Sequence, residues 1–149
     1  MNDLEKPVLD NRYEMVCCEV PEYVKHIAAC YDDVGISTEV LMSYQTHAVY
    51  DQDLWIAVTE CGHNSIIASG IAEMDTDIKE GILEWIQVSP GYRGKGLGKF
   101  VVNELLWKMK DKADFVTVSG KIDNPTNPRS LYMACGFSEE EIWHVMRKR

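Results

Sequence analysis

The chain lacks most of what would tie it to a membrane, a disulfide scaffold or a metal. Its 149 residues include five cysteines, Cys17, Cys18, Cys30, Cys61 and Cys135, an odd number with no C-x-x-C pair. Neither a disulfide framework nor a zinc ribbon is indicated, so reduced thiols are expected. No apolar run approaches the roughly 20 residues of a spanning helix. The first residues carry Asp3, Glu5, Lys6, Asp10 and Arg12, unlike an apolar signal segment. Among His26, His47, His63 and His144 no pair has the H-x-x-x-H spacing of a helical metal site. No metal is expected, and all four are read as surface or core residues. Internal repeats and low-complexity linkers are missing too. The length suits one domain over 1–149, since domains run roughly 100–200 residues. These absences together predict a soluble, cytoplasmic protein.

Positive charge is also scarce. Fifteen Lys and Arg face 24 Asp and Glu, for a net charge of -9. Nucleic acid is therefore not an expected partner, because phosphate backbones are bound by clustered Lys and Arg. A cationic acceptor is compatible with this balance, although solubility alone accounts for it. The acids are unevenly spread. None lies from Trp85 to Asn103, where Arg93, Lys95 and Lys99 stand, and none from Asn124 to Ser138, which holds Arg129. Two acid-free, partly basic windows in an acidic protein suggest a local anion site.

Met15–Val20 has the pattern of a short strand. Pro21 suits a first helical turn, and Tyr23, Val24, Ile27, Ala28 and Tyr31 follow at helical spacing. A second short helix is expected over Ser37–Gln45. Leu54–Thr59, Ser65–Met74 and Ile82–Val88 are three strands separated by turns, the pattern of an antiparallel meander. After a loop over Ser89–Lys95, Leu97, Val101 and Leu105 recur every four residues, predicting a helix to about Lys110. Phe115–Gly120 is a strand. Asn127–Cys135 is a helix closed by Gly136, with strand material from Phe137 onward. The order predicts an α+β fold with a mixed, mostly antiparallel central sheet and flanking helices.

The segment Val88-Ser89-Pro90-Gly91-Tyr92-Arg93-Gly94-Lys95-Gly96-Leu97-Gly98-Lys99 joins a strand to a helix. A helix N-terminus leaves N–H groups without intrahelical partners and carries partial positive charge. Glycines there let a ligand approach the backbone and permit left-handed conformations, so phosphate binding is expected. The P-loop pattern fails because Leu97 follows Gly96 where Lys is required, and the G-x-G-x-x-G fingerprint fails because Gly94, Gly96 and Gly98 alternate. A glycine-rich helix start without a ligand is the plain alternative, but glycines inside a helix start weaken it by roughly 1 kcal/mol each.

Arg93-Gly94-Lys95-Gly96-Leu97-Gly98 resembles the pyrophosphate loop of the GNAT N-acyltransferase superfamily, whose pattern is Arg/Gln-x-x-Gly-x-Gly/Ala. Asn127 through Phe137 is similar to the family's following helix, with Ser130, Leu131 and Tyr132 on matching positions and Gly136-Phe137 at its end. One helix and one strand separate the blocks, as in the family. The resemblance covers roughly Ile66 to Phe137 and implies the acyl-CoA N-acyltransferase fold. It implies acetyl-CoA as co-substrate, its pyrophosphate on Arg93, Gly94, Lys95, Gly96, Leu97, Gly98 and Lys99. Backbone groups of Ile86 and Val88 would pair with the pantetheine arm. Asn127 would touch the same molecule, or simply cap its helix.

The implied reaction is direct transfer of an acetyl group to a primary amine, on a small molecule or a peptide. An amine must shed a proton to attack, and the departing thiolate must gain one. Tyr132 is the candidate acid, with a helix tyrosine packed on the sheet as its plain alternative. Glu84 is the candidate base, acting through a water. Strand alternation would put it on the face of Ile82, Ile86 and Val88, and a solvent-facing glutamate is the alternative; Glu73 and Asp75 are rivals. The acceptor pocket is expected between the two N-terminal helices and the Asp75–Gly81 turn, with Tyr31, Tyr44 and Trp55 as possible lining. Trp85, Trp107 and Cys135 are read as packing residues. A non-catalytic acyl-CoA-binding module would share the loop without the chemistry. A homodimer is expected on general grounds alone, symmetric dimers being common.

Overall fold

The computed structural model describes residues 6–30, 36–118, 132, 133 and 135. Five strands form one sheet: β1 (Tyr13–Val16), β2 (Trp55–Glu60), β3 (Ala68–Asp75), β4 (Glu80–Val88) and β5 (Phe115–Val118). They lie side by side in chain order. The first three pairings are antiparallel and β4–β5 is parallel. The helices are α1 (Val20–Cys30), α2 (Thr38–Tyr44) and α3 (Leu97–Met109). This is the expected mixed sheet with flanking helices. Among the described residues no helix is long and apolar enough to cross a membrane.

Two apolar clusters set the layers. Leu97, Phe100, Val101, Val102, Leu105, Leu106 and Met109 of α3 pack on one sheet face with Ala68, Ala72, Leu83 and Val116. On the other face Tyr23 and Ile27 of α1 and Leu41 of α2 pack with Ala57 and Ile71. Helix α3 lies close to the strands because β3 carries Gly70 beneath it. A methyl group there would fall 2.5 Å from Val101 Cγ1 and 3.0 Å from Leu105 Cδ1.

Several element bounds differ from expectation: β3 begins only at Ala68 and β4 already at Glu80, and two further differences have a local cause. The first strand is Tyr13–Val16, and Val20 is already helical. There Glu22 N–H donates to the Glu19 carbonyl at 3.0 Å, and the Glu22 carboxylate accepts from Glu19 N–H at 3.4 Å. That reciprocal pattern starts α1 earlier than the proline alone suggests. In β4, Trp85 pairs with Ile71 but Leu83 pairs with Ala72, so Glu84 is a surplus residue at a bulge. Gly136 and the strand expected after Phe137 lie outside the described residues, as does most of the Asn127–Cys135 helix; Tyr132 and Met133 are helical.

Candidate active site

Strand β4 feeds the glycine loop directly. A short 3-10 turn over Pro90–Tyr92 follows Ser89, and α3 opens on Gly96, whose φ of 84° and ψ of 4° are left-handed. Gly94 also has a positive φ, 79°. Glycine tolerates that conformation without a Cβ penalty. A Cβ built on either would meet nothing within 4 Å, so the loop fronts open space. The first helical hydrogen bond runs from Phe100 N–H to the Gly96 carbonyl at 3.0 Å. The amides of Leu97, Gly98 and Lys99 thus precede the intrahelical ladder, and no side chain caps them at Gly96. The Leu97 side chain is buried in the α3 cluster while Arg93, Gly94, Lys95, Gly96 and Lys99 are exposed. That combination pins the helix start and leaves the loop accessible. A diphosphate fits such a cradle in charge and in space.

The loop is clipped to the sheet at several points. Arg93 Nε donates to the Val88 carbonyl at 3.0 Å. Tyr92 donates its hydroxyl to the Glu60 carboxylate at the end of β2, and that bond to an anionic acceptor holds the phenol above its ordinary pKa. Ser89 N–H donates to the Ile67 carbonyl at 2.8 Å. Its hydroxyl lies 2.9 Å from His26 Nε2, whose Nδ1 is 2.8 Å from the Ser69 hydroxyl. Gln87 Nε2 donates to the same Ser69 oxygen. Burial pushes the His26 imidazole down to about 4, so it is neutral at physiological pH. His26 was expected merely at the surface or in the core. It is a core residue that joins α1, β3 and the start of the loop. Partners 43 and 63 residues away left no local signal of this network.

Ser89 faces β3 through its N–H, so by antiparallel alternation Val88 and Ile86 turn their backbone groups the other way. Described pairing between β4 and β5 covers Glu80–Leu83, before the bulge. Ile86 and Val88 lie beyond it. The bulge also removes the simple alternation on which the expected face of Glu84 rests. Ile86 and Val88 pack against the α3 cluster with Leu83, whereas Trp85 packs with the α1–α2 cluster. A residue inserted between Leu83 and Trp85 breaks simple alternation, so it does not place Glu84 with Ile86 and Val88.

Tyr132 is 8% exposed and packs in the α3 cluster. Cys135, one turn further on, has its Sγ 4.0 Å from the Lys99 carbonyl. The helix carrying Tyr132 thus lies beside the first turn of α3, which brings the two sequence blocks together. Burial pushes the Cys135 thiol up to about 11, as suits a packing residue. Asn127 lies outside the described residues.

On the opposite face Tyr44, Trp85, His47 and Glu73 are linked. Trp85 Nε1–H donates to the Tyr44 hydroxyl at 3.3 Å, and the Tyr44 and His47 rings are 5.2 Å apart. Trp55 is packed edge-on against both Tyr23 and Tyr50, at 5.4 and 5.9 Å. Tyr31 lies outside the described residues. The Asp75–Gly81 turn sits where β4 begins, at the opposite end of that strand from the glycine loop. At about 3.3 Å per residue the separation is roughly 25 Å.

A family model described as an acetyltransferase (GNAT) domain matches residues 50–139. The chain belongs to the GNAT acetyltransferase family. It is an acetyltransferase, and the match reaches upstream of the motif-bearing half, into β2. This GNAT chain is similar in structure to the ribosomal-protein-S18-alanine N-acetyltransferase from Escherichia coli, with TM-score 0.69 and 21% identity, covering 85% of this chain and 78% of that one. Glucosamine-6-phosphate N-acetyltransferase from Arabidopsis thaliana gives TM-score 0.66 and 20% identity over 87% and 94% of the two chains. Arabidopsis thaliana Naa50, in complex with the bisubstrate analogue CoA-Ac-MVNAL, gives 0.69 and 11% over 85% and 83%. At these identities the likeness concerns the fold. No curated protein matches the sequence.

Proposed function

We propose that this GNAT acetyltransferase moves an acetyl group from acetyl-CoA to a primary amine on a small molecule or peptide by direct transfer. The reading places its whole action in one domain over 1–149, in the cytoplasm, without nucleic acid or membrane, with a homodimer as the default assembly. The observation that carries it is the left-handed Gly94–Gly96 loop. It sets the uncapped amides of α3 at the end of β4, facing open space.

Amides of Gly94, Lys95, Gly96, Leu97, Gly98 and Lys99 would hold the pyrophosphate, with Arg93 fixing the loop to Val88 and Lys99 adding charge. Backbone groups of Ile86 and Val88 would orient the pantetheine arm past the bulge, and Asn127 would contribute a side chain. The bound co-substrate supplies an activated acetyl thioester. Tyr132 gives its hydroxyl proton to the departing sulfur; a phenol retains that proton at neutral pH. Glu84, at the bulge, takes a proton from the amine nitrogen through a water. The acceptor would lie against the α1–α2 face near Tyr44 and Trp85, between the glycine loop and the acidic turn.

Calorimetric titration of acetyl-CoA tests the loop, and an amine panel followed by release of free CoA thiol tests the transfer. Heat from acetyl-CoA and thiol release dependent on an added amine are the expected results. Folded protein giving a flat titration would end the reading.

A further inference from the structure

Side chains on the α1–α2 face form a connected polar group. His47 Nδ1 lies 2.9 Å from Glu73 Oε2. Glu73 is 6% exposed, while the His47 side chain is 45% exposed. One face of the imidazole packs on Tyr44, at an interplanar tilt of 30°. A carboxylate accepts and cannot donate, so the proton of this contact sits on Nδ1. In the neutral ring Nε2 then carries the lone pair. A buried carboxylate that fixes the tautomer and supports the imidazolium is the arrangement by which a histidine is set up as a base. Through Tyr44 this group reaches Trp85, which lies between Glu84 and Ile86 on β4.

Resting on the transfer reading above, we infer that His47, positioned by Glu73, takes the proton of the acceptor's ammonium group before attack. The acceptor class this fits is an alkyl primary amine, which is protonated in neutral water. One ammonium N–H bond breaks, its electron pair stays on nitrogen as the attacking lone pair, and a bond from hydrogen to Nε2 forms. The imidazolium, paired with Glu73, returns the proton to bulk water between turnovers. Nitrogen loses a second proton on becoming an amide. That one goes to Glu84 through a water, and Tyr132 protonates sulfur, so the three groups have separate tasks. Titratable groups in contact with His47 are Glu73 from β3 and Tyr44 from α2. Asp51, from the segment before β2, is held by Lys112 at 3.3 Å.

Two measurements on the full chain test this. Nitrogen-15 spectra of histidine-labelled protein should show neutral His47 protonated on Nδ1, and protonation on Nε2 instead overturns the proposal. With spermidine and an alanine-ended peptide as acceptors, His47→Gln should lower kcat/KM for the amine by on the order of 100-fold at pH 7. That deficit should shrink as pH rises toward the amine's own ionisation, with KM for acetyl-CoA unchanged. Glu73→Gln should move the acidic limb of the pH profile, and a limb that stays in place refutes the positioning role. Wild-type turnover matched by His47→Gln at every pH, or a deficit uniform in pH, overturns the base assignment and leaves the transfer reading intact. Wild-type protein that binds acetyl-CoA yet acetylates neither amine removes that reading, and this proposal with it.

Discussion

Beyond the end of β4 the exposed groups are main-chain amides, presented by Gly94 and Gly96 at positive φ in a loop with open space around it. On the α1–α2 face of the sheet they are side chains in contact with one another, Tyr44 on Trp85 and His47 on Glu73. The contrast teaches what each region can tolerate. An amide cradle is indifferent to most side chains but is lost when the backbone cannot adopt its conformation. A side-chain cluster keeps its shape under backbone-neutral changes and is lost one functional group at a time. The first type leaves a signature in sequence, the second does not.

The contrast breaks most sharply at Gly96→Val. A β-branched residue is strained at φ 84°, and its methyl groups would enter the open space in front of the amides. With no protein atom nearby to clash, the fold should survive while acetyl-CoA affinity falls by on the order of 1,000-fold in calorimetry, or about 4 kcal/mol. Tyr132→Phe is the counterpart on the side-chain scale. Phe keeps the packing in the α3 cluster and removes one hydroxyl, so kcat should fall about 100-fold with acetyl-CoA affinity unchanged.

His26 bridges the two regions, and pH exposes it. Its folded-state value of about 4 lies below the ordinary 6.5. The native chain therefore binds fewer protons than the unfolded chain between those values. Stability should be intact above about pH 6.5 and fall on acidification toward pH 4, by roughly 3 kcal/mol in all. In His26→Gln that share of the slope should vanish from urea midpoints measured across the window. The smallest effect is expected from Gly70→Ala. Its methyl would press on Val101 and cost about 1–3 kcal/mol of stability in denaturant unfolding.

Much of this was legible in the chain. The 97–101–105 spacing gave α3 to within a residue of its observed end, and the alternating glycines marked the loop. Turn residues at Gly62 and between Asp75 and Glu80 separated the strands, although Asp75, Glu80 and Gly81 themselves belong to β3 and β4. What escaped was non-local. The bulge at Glu84 depends on register against β3, which no property of β4 alone discloses. His47–Glu73 and His26–Ser69 join residues 26 and 43 positions apart, so their types and spacing carry no periodicity. Tyr44 was named as acceptor lining and does reach Trp85. Trp55 is half-buried, with the Tyr23 and Tyr50 rings edge-on to it.

Gly70 lies under the middle of α3, and Gly81, whose added Cβ would fall 2.5 Å from Met109 Sδ, lies under its last turn. The rod therefore rests on two points where the sheet has no bumps. Raising either support by one carbon would shift the rod on the sheet. Which way the leading end is aimed is thus fixed by residues on β3 and at the start of β4, well away from any phosphate that end would meet.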